Sequence, residues 1–288
     1  LEMSELFPDP FFKFDQSSNN SWVYVDGDVN MTDANGGNTP TEFEQDNFSN
    51  SRILGDLNIT ANGGGQCLVD MNNSAYMEIG GSFVRGGAPN RFGSLTSSNG
   101  TTIEYDGVGN TQFLSEDAGD GGDGWDYENV VINNTFATYP QLSTVGTTTI
   151  NQSLTLTDGV IHTEGTSLLV IANGSTSSAG SDASFVDGPM KRIGSGNFTF
   201  PVGDDQVWAR LGTENLANAN GGTEWVCEYF FQPAPNNSVP NYGAGITHVS
   251  FVEHWSLDRV ADPGNNATCR ARLYWEDSDR SGIAPANV

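Results

Sequence analysis

A short phrase recurs along the chain and limits the possible folds more than any other feature. Gly27-Asp28-Val29-Asn30-Met31-Thr32 returns about 28 residues later as Gly55-Asp56-Leu57-Asn58-Ile59-Thr60. Gln152-Ser153-Leu154-Thr155-Leu156-Thr157 is a looser third copy. Each copy sets two apolar side chains on one face of a brief strand, with a small polar one between them on the other. Weaker strands of the same kind lie at Met77-Glu78-Ile79, Ile103-Glu104-Tyr105, Val130-Val131-Ile132 and Leu168-Leu169-Val170. Their first inward residues fall at 29, 57, 77, 103, 130 and 154, in steps of roughly 20 to 28 residues. A unit of that length buries its apolar face only by stacking on its neighbours. Because the strands are short and no helical pattern separates them, the chain reads as all-β, with a parallel β-helix over about 21–180. Its inward set should include Val29, Met31, Leu57, Ile59, Leu154 and Leu156.

Composition agrees with strands and tight turns. Gly (35 residues), Asn, Ser and Thr are abundant, and Lys plus Arg total only 11. Gly and Asn supply turn conformations cheaply, and the Lys, Glu and Leu runs that favour helices are missing. The net charge of −25 argues against nucleic acid, which needs a cationic surface, and against anionic lipid. It fits a soluble extracellular protein, or one that gathers divalent cations. No apolar run reaches the roughly 18 residues of a membrane span, so direct membrane insertion is not expected. Leu1-Glu2-Met3 does not open a signal peptide, and both ends read as parts of a processed or longer chain.

Outside the repeat, composition shifts twice. Residues 1–20 hold Leu6-Phe7-Pro8-Asp9-Pro10-Phe11-Phe12-Lys13-Phe14, whose prolines exclude a central strand. A cap on the first coil or a linker is expected there. Near 175–182 the chain turns to Ser, Thr and Gly. Beyond that point, over 181–288, the strands become longer and more aromatic, which suggests a β-sandwich.

This second half carries an ordered set of motifs: Gly188-Pro189-Met190-Lys191-Arg192-Ile193-Gly194, Phe198-Thr199-Phe200-Pro201-Val202-Gly203-Asp204, Glu228-Tyr229-Phe230, His248-Val249-Ser250 and Glu253-His254-Trp255-Ser256-Leu257-Asp258-Arg259. The set resembles a module of large secreted Bacteroidetes proteins exported by the type IX secretion system, which commonly follows β-helix-like repeats. The resemblance covers about residues 185–285. It implies an extracellular or surface-attached multidomain protein of adhesive character, and it implies no catalytic residues.

Candidate sites are few. Cys227 and Cys269 sit in phase with Trp225 and Tyr229, and with Ala271 and Leu273, so both point toward the expected sandwich core. They form either a disulfide or two reduced core thiols. Cys67 is left over. Asp117, Asp120, Asp123 and Asp126 lie at three-residue spacing among glycines and are the best candidate for Ca²⁺, against the alternative of a solvated acidic turn. Asp26, Asp28 and Asp33, and Glu276, Asp277 and Asp279, are lesser groups. His248 and His254 lack a third metal ligand. Trp125, Tyr127 and Trp208 are aromatics that either stack on a sugar or pack in the core.

For catalysis, the repeat region offers no Lys and a single histidine, His162, where a lyase needs a base and cations. Its carboxylates mark no particular hydrolytic pair. The expected function is a non-enzymatic extracellular surface protein, an adhesin or a structural segment of a larger assembly. Its partners would be other copies of itself, other surface proteins or a glycan. The alternative is a carbohydrate-active β-helix enzyme, a polysaccharide lyase or glycoside hydrolase.

Overall fold

A computed structural model describes residues 2–5, 13–33, 41–61, 67–87, 94–115, 127–235, 250–263 and 266–277, with backbone alone for 2–5, 61, 85–87 and 94–96. Among them no helix occurs. The chain winds into a β-solenoid whose first coils each contribute three strands. One sheet stacks Glu2–Glu5, Val29–Asp33, Leu57–Ala61 and Phe83–Gly87 in parallel. A second stacks Lys13–Gln16, Thr41–Gln45, Cys67–Met71 and Ser94–Ser97. The third and longest runs through Trp22–Val25, Asn50–Ile53, Tyr76–Ile79, Thr102–Tyr105, Tyr127–Asn133, Thr148–Asp158, Leu169–Ile171 and Met190–Ile193.

The recurring phrase pairs with itself in register, Val29 on Leu57 and Met31 on Ile59. The expected inward set Val29, Met31, Leu57, Ile59, Leu154 and Leu156 is buried. The third copy of the phrase, however, lies in a different sheet. Leu154 stacks on Val130 in the long sheet, not on Leu57. Every strand of a coil shares the same two-residue alternation, so the phrase identifies a strand without identifying its face.

Two local devices hold the coils in step. The Gly-Asp turns stack directly: Asp28 Oδ1 accepts from Asp56 N (2.9 Å), and Asp56 Oδ1 accepts from Ser82 N (2.6 Å). A Cβ on Gly55 would sit 2.1 Å from Asp28 Oδ1, and one on Gly81 2.4 Å from the Gly55 carbonyl carbon, so only glycine admits this approach. At the next corner, consecutive residues take left-handed φ in three successive coils: Asn47 and Phe48, Asn73 and Ser74, Asn99 and Gly100. Asn tolerates that region because its short side chain bonds locally, and Asn73 Nδ2 donates to Asp46 Oδ1 at 2.6 Å across coils.

Residues 1–20, set apart above as a cap or linker, carry two strands of the first coil, Glu2–Glu5 and Lys13–Gln16, and Phe14 stacks on Phe43 at 5.0 Å. Residues 6–12 lie outside the described residues. Past 111 a fourth sheet takes over beside the first: Gln112–Leu114, Leu142–Thr144, Ile161–His162, Val186–Asp187 and Val202–Asp204 in parallel, closed by the antiparallel Val207–Trp208.

Parallel winding thus continues beyond the boundary expected near 180. Glu224–Phe230 and His254–Ala261 extend the long sheet in antiparallel sense, and Phe198–Phe200, Leu211–Ala217 and Thr268–Leu273 make a small antiparallel sheet. Phe198, Phe200, Leu211, Trp225, Cys227 and Tyr229 join the same buried cluster as the coils.

Candidate functional site

A concavity lies where parallel winding gives way to antiparallel strands. On Ile161–His162, Val186–Asp187 and Val202–Asp204, the residues Ile161, Val186 and Val202 point inward and are buried. Alternation therefore turns His162 and Asp187 outward, directly abreast of one another. Across from them runs Glu224–Phe230, whose Trp225, Cys227 and Tyr229 face the core, leaving Glu228 and Phe230 on the other side. Between the two walls is a cleft of about 680 Å³ lined by His162, Asp187, Asp204, Glu228, Phe230 and Phe231, with a floor that includes Gly188 and Pro189. Gly188 has a φ of +113°, and a Cβ there would meet the Thr163 carbonyl oxygen at 2.2 Å.

Its polar groups are held in place. Tyr139 donates its hydroxyl to Asp187 Oδ2 at 2.5 Å, and His162 Nδ1 lies 3.5 Å from the same oxygen. Asp204 Oδ2 accepts from Phe231 N at 2.8 Å. Phe230 stacks on His254 at 4.7 Å, and His254 Nδ1 contacts the Gln232 carbonyl oxygen at 2.9 Å.

Electrostatically the cleft is unbalanced, because no Lys or Arg lines it among the described residues. Burial, then the negative charges of Asp204 and Asp187, push the Glu228 carboxyl up from its ordinary range, against the opposing pull of His254. Burial and the bond to Asp187 push the Tyr139 phenol upward too, so it stays a donor. Glu228, pushed toward its protonated form first by burial, thus shares the cleft with Asp187, which accepts the Tyr139 hydroxyl. Such a pair can donate to and accept from one polyhydroxylated ligand.

Several described residues of the motifs behind the resemblance converge here or brace the walls. Gly188-Pro189, Asp204, Glu228-Tyr229-Phe230 and His254 are in the cleft or touch it. Glu253 accepts from Tyr229 OH at 2.6 Å, Trp255 Nε1 donates to the Ala209 carbonyl at 3.1 Å, and Arg192 sits over the Phe198 ring at 5.2 Å. Sequence reasoning missed Asp187 and Tyr139. Their only signal was adjacency, Asp187 next to Gly188-Pro189, and Tyr139 is brought in from 48 residues away.

Other expected sites fare differently. Asp117, Asp120, Asp123 and Asp126 lie outside the described residues, as do Trp125, His248 and Asp279. Among the described residues no cluster of His, Cys, Asp or Glu is arranged to hold a metal ion. Asp28 serves the stacked turns, and Glu276 is clamped by Arg210 at 2.5 and 3.1 Å.

Of the two alternatives for Cys227 and Cys269, the structure has the reduced one: both are free thiols. Cys227 is buried in the long sheet between Met190 and Leu257, while Cys269 is half-buried on Thr268–Leu273 in the small sheet. That last strand is exposed on both faces, Ala271 and Leu273 included, so its alternation does not report a core. Cys67 is also free and buried. Tyr127 is buried, with its hydroxyl 2.8 Å from that of Tyr105, and Trp208 is half-covered by Arg210 at 4.7 Å. Neither is an open stacking platform.

No protein-family profile matches the chain, and neither a curated protein nor a solved structure resembles it significantly. No helix among the described residues is long and apolar enough to cross a membrane.

Proposed function

We propose that this is a non-enzymatic extracellular surface protein, an adhesive or structural segment of a larger assembly, that holds a glycan in the cleft between the last coils and the antiparallel strands. The observation that carries this reading is the cleft itself, a concavity of about 680 Å³ with fixed donors, acceptors and an exposed aromatic ring. That volume falls within the range of ordinary ligand sites, roughly 300–1,000 Å³. Phe231 offers a ring face, and Asp187, Asp204 and Glu228 offer oxygens for sugar hydroxyls. The motif resemblance supports the surface location, export by type IX secretion and a C-terminal β-sandwich module seated on the solenoid. The test is a glycan array probed with the wild type, Glu228→Gln and Phe231→Ala. A glycan retained by the wild type and lost by both variants fits; no retained glycan, or retention by all three, sinks the cleft as the binding site.

One observation favours a second reading, a glycoside hydrolase. Glu228 is pushed toward the protonated form while Asp187 is held by Tyr139, which is the division of labour between a general acid and its partner carboxylate. Incubation with neutral and acidic polysaccharides separates the two. New reducing ends that vanish in both Glu228→Gln and Asp187→Asn would make the cleft catalytic.

A further inference from the structure

The outward face of the long sheet carries two aromatic side chains in an unusual state. Trp22 and Tyr24 project from the same strand, about 7 Å apart by strand geometry, and are 64% and 62% exposed. Neither makes a hydrogen bond or ring contact among the described residues. Side by side they form an apolar patch on an otherwise polar sheet, and such patches mark binding surfaces more often than isolated exposed residues do.

In-register stacking extends this patch into rows. Trp22 pairs with Asn50, and Asn50 with Tyr76. Tyr24 pairs with Arg52, Arg52 with Glu78, and Glu78 with Glu104. Each step is one strand, about 4.8 Å, so Trp22 and Tyr76 stand two steps apart with an amide between them. The second row is already braced. Arg52 Nη2 lies 3.1 Å from Glu78 Oε1 and 3.0 Å from Asp106 Oδ2, Tyr76 donates its hydroxyl to Glu104, and Asn133 Nδ2 donates to Glu104 Oε1 at 2.8 Å. Binding would therefore cost little further side-chain ordering.

We propose that this face is a track for a neutral β-1,4-linked polysaccharide running along the solenoid axis. One pyranose ring spans about one strand spacing. In a β-1,4 chain successive rings flip, so the same ring face recurs every second sugar, matching rings at Trp22 and Tyr76 with polar Asn50 between. Charge selects the class. Glu104 and Asp106 outnumber Arg52 on a chain of net charge −25, so a polyuronate is repelled and a neutral sugar is not. The track lies at the opposite end of the long sheet from Glu224–Phe230, the strand that walls the cleft, and does not depend on the cleft.

The test is affinity electrophoresis of the whole chain through gels holding hydroxyethyl cellulose, with polygalacturonate gels alongside. The expected result is retardation in the first and none in the second. Trp22→Ala should weaken the apparent affinity about tenfold or more, and Phe113→Ala, an exposed aromatic on the fourth sheet, should leave it unchanged. Tyr76→Phe, which keeps the ring, should lose less than Tyr76→Ala. Free migration in hydroxyethyl cellulose, or equal retardation of wild type and Trp22→Ala, overturns the proposal. So does a dimer in size-exclusion chromatography that Trp22→Ala dissociates, since that places a second copy on the face. Retardation abolished by Glu228→Gln but not by Trp22→Ala moves the polysaccharide to the cleft and also overturns it.

Discussion

The coils of residues 13–115 and the strands of residues 186–277 use the same alternation of apolar and polar side chains, yet they close their structures by different means. In the coils each residue stands on its equivalent. Asn58 Nδ2 donates to Asn30 Oδ1 at 2.9 Å, Gln16 and Gln45 bond to equivalent carbonyls one coil apart, and glycines let the turns touch. Among the later strands Val186–Asp187, Met190–Ile193 and Val202–Asp204 still stack in parallel, but direction reverses at Glu224–Phe230 and again at His254–Ala261, and the stacking of equivalents ends there. Contacts there are individual, such as Arg192 over Phe198, Trp255 to Ala209 and Arg210 to Glu276. The mismatch leaves the cleft. Repetition gives a regular wall, and its interruption gives a concave place with several kinds of chemical group.

The comparison can be broken first in the core. Leu57→Ala, within the stacked rows, should cost about 2–5 kcal/mol in urea denaturation. Leu273→Ala, on the exposed strand, should stay within about 0.5 kcal/mol. Equal losses would mean that the C-terminal strands are packed as tightly as the coils.

Glycines make the next contrast. Gly81→Ala places a methyl 2.4 Å from Asp56 Oδ1 and from the Gly55 carbonyl carbon, an overpacking worth about 1–3 kcal/mol. Gly196→Ala meets nothing within 4 Å and should be nearly silent in the same assay.

A gain is expected at Phe48. It holds a φ of 59° at a corner where the next coils use Ser74 and Gly100, and its side chain is exposed. Phe48→Gly should stabilise by about 1 kcal/mol, since a left-handed φ costs a residue with a Cβ roughly 1–2 kcal/mol and glycine's chain entropy returns part of it. A lower melting temperature for the variant would show that the ring itself contributes packing.

Smaller still is a pH effect. Burial, then Asp106, push the Glu78 carboxyl up from 4.5 to about 7, with Arg52 opposing. The folded state therefore holds this proton more tightly than the unfolded one. The stabilisation is complete below about pH 4.5 and is lost as pH rises through about 7. Glu78→Gln should gain on the wild type between pH 5 and pH 8. Glu228, raised chiefly by burial, should give a gain of the same sign. A gain confined to acid pH would reverse the assignment.

The smallest effect concerns the thiols. With Cys227 and Cys269 on different sheets and unbonded, a reductant should leave the melting temperature unchanged, and iodoacetamide should spare Cys227, whose thiol is buried and pushed upward in pKa. A reductant-sensitive melting temperature would restore the bridge.

Much of the solenoid was legible in the chain. Val29, Met31, Leu57 and Ile59 alternate with small polar residues at a constant repeat, and only stacking buries such brief strands. Alternation is a local property of the backbone, so the inward set follows directly from it. Which sheet a strand joins is not local, and for that reason the single series read from 29 to 154 divides between two sheets, with Leu57 on Val29 in one and Leu154 on Val130 in the other. Whether Cys227 and Cys269 bridge or stay reduced was left open for the same reason. The phase of Cys269 specifies a face, and whether anything covers that face depends on strands elsewhere. In the cleft, Glu228 and Asp204 stood within noticed motifs, but Tyr139, His162 and Asp187 come from separate turns of the chain. Sequence periodicity by itself determined an all-β stacked chain and its core. Only the tertiary structure decided which outward side chains meet, because neighbours across stacked coils are set by register and by where winding reverses, and neither is encoded within one strand.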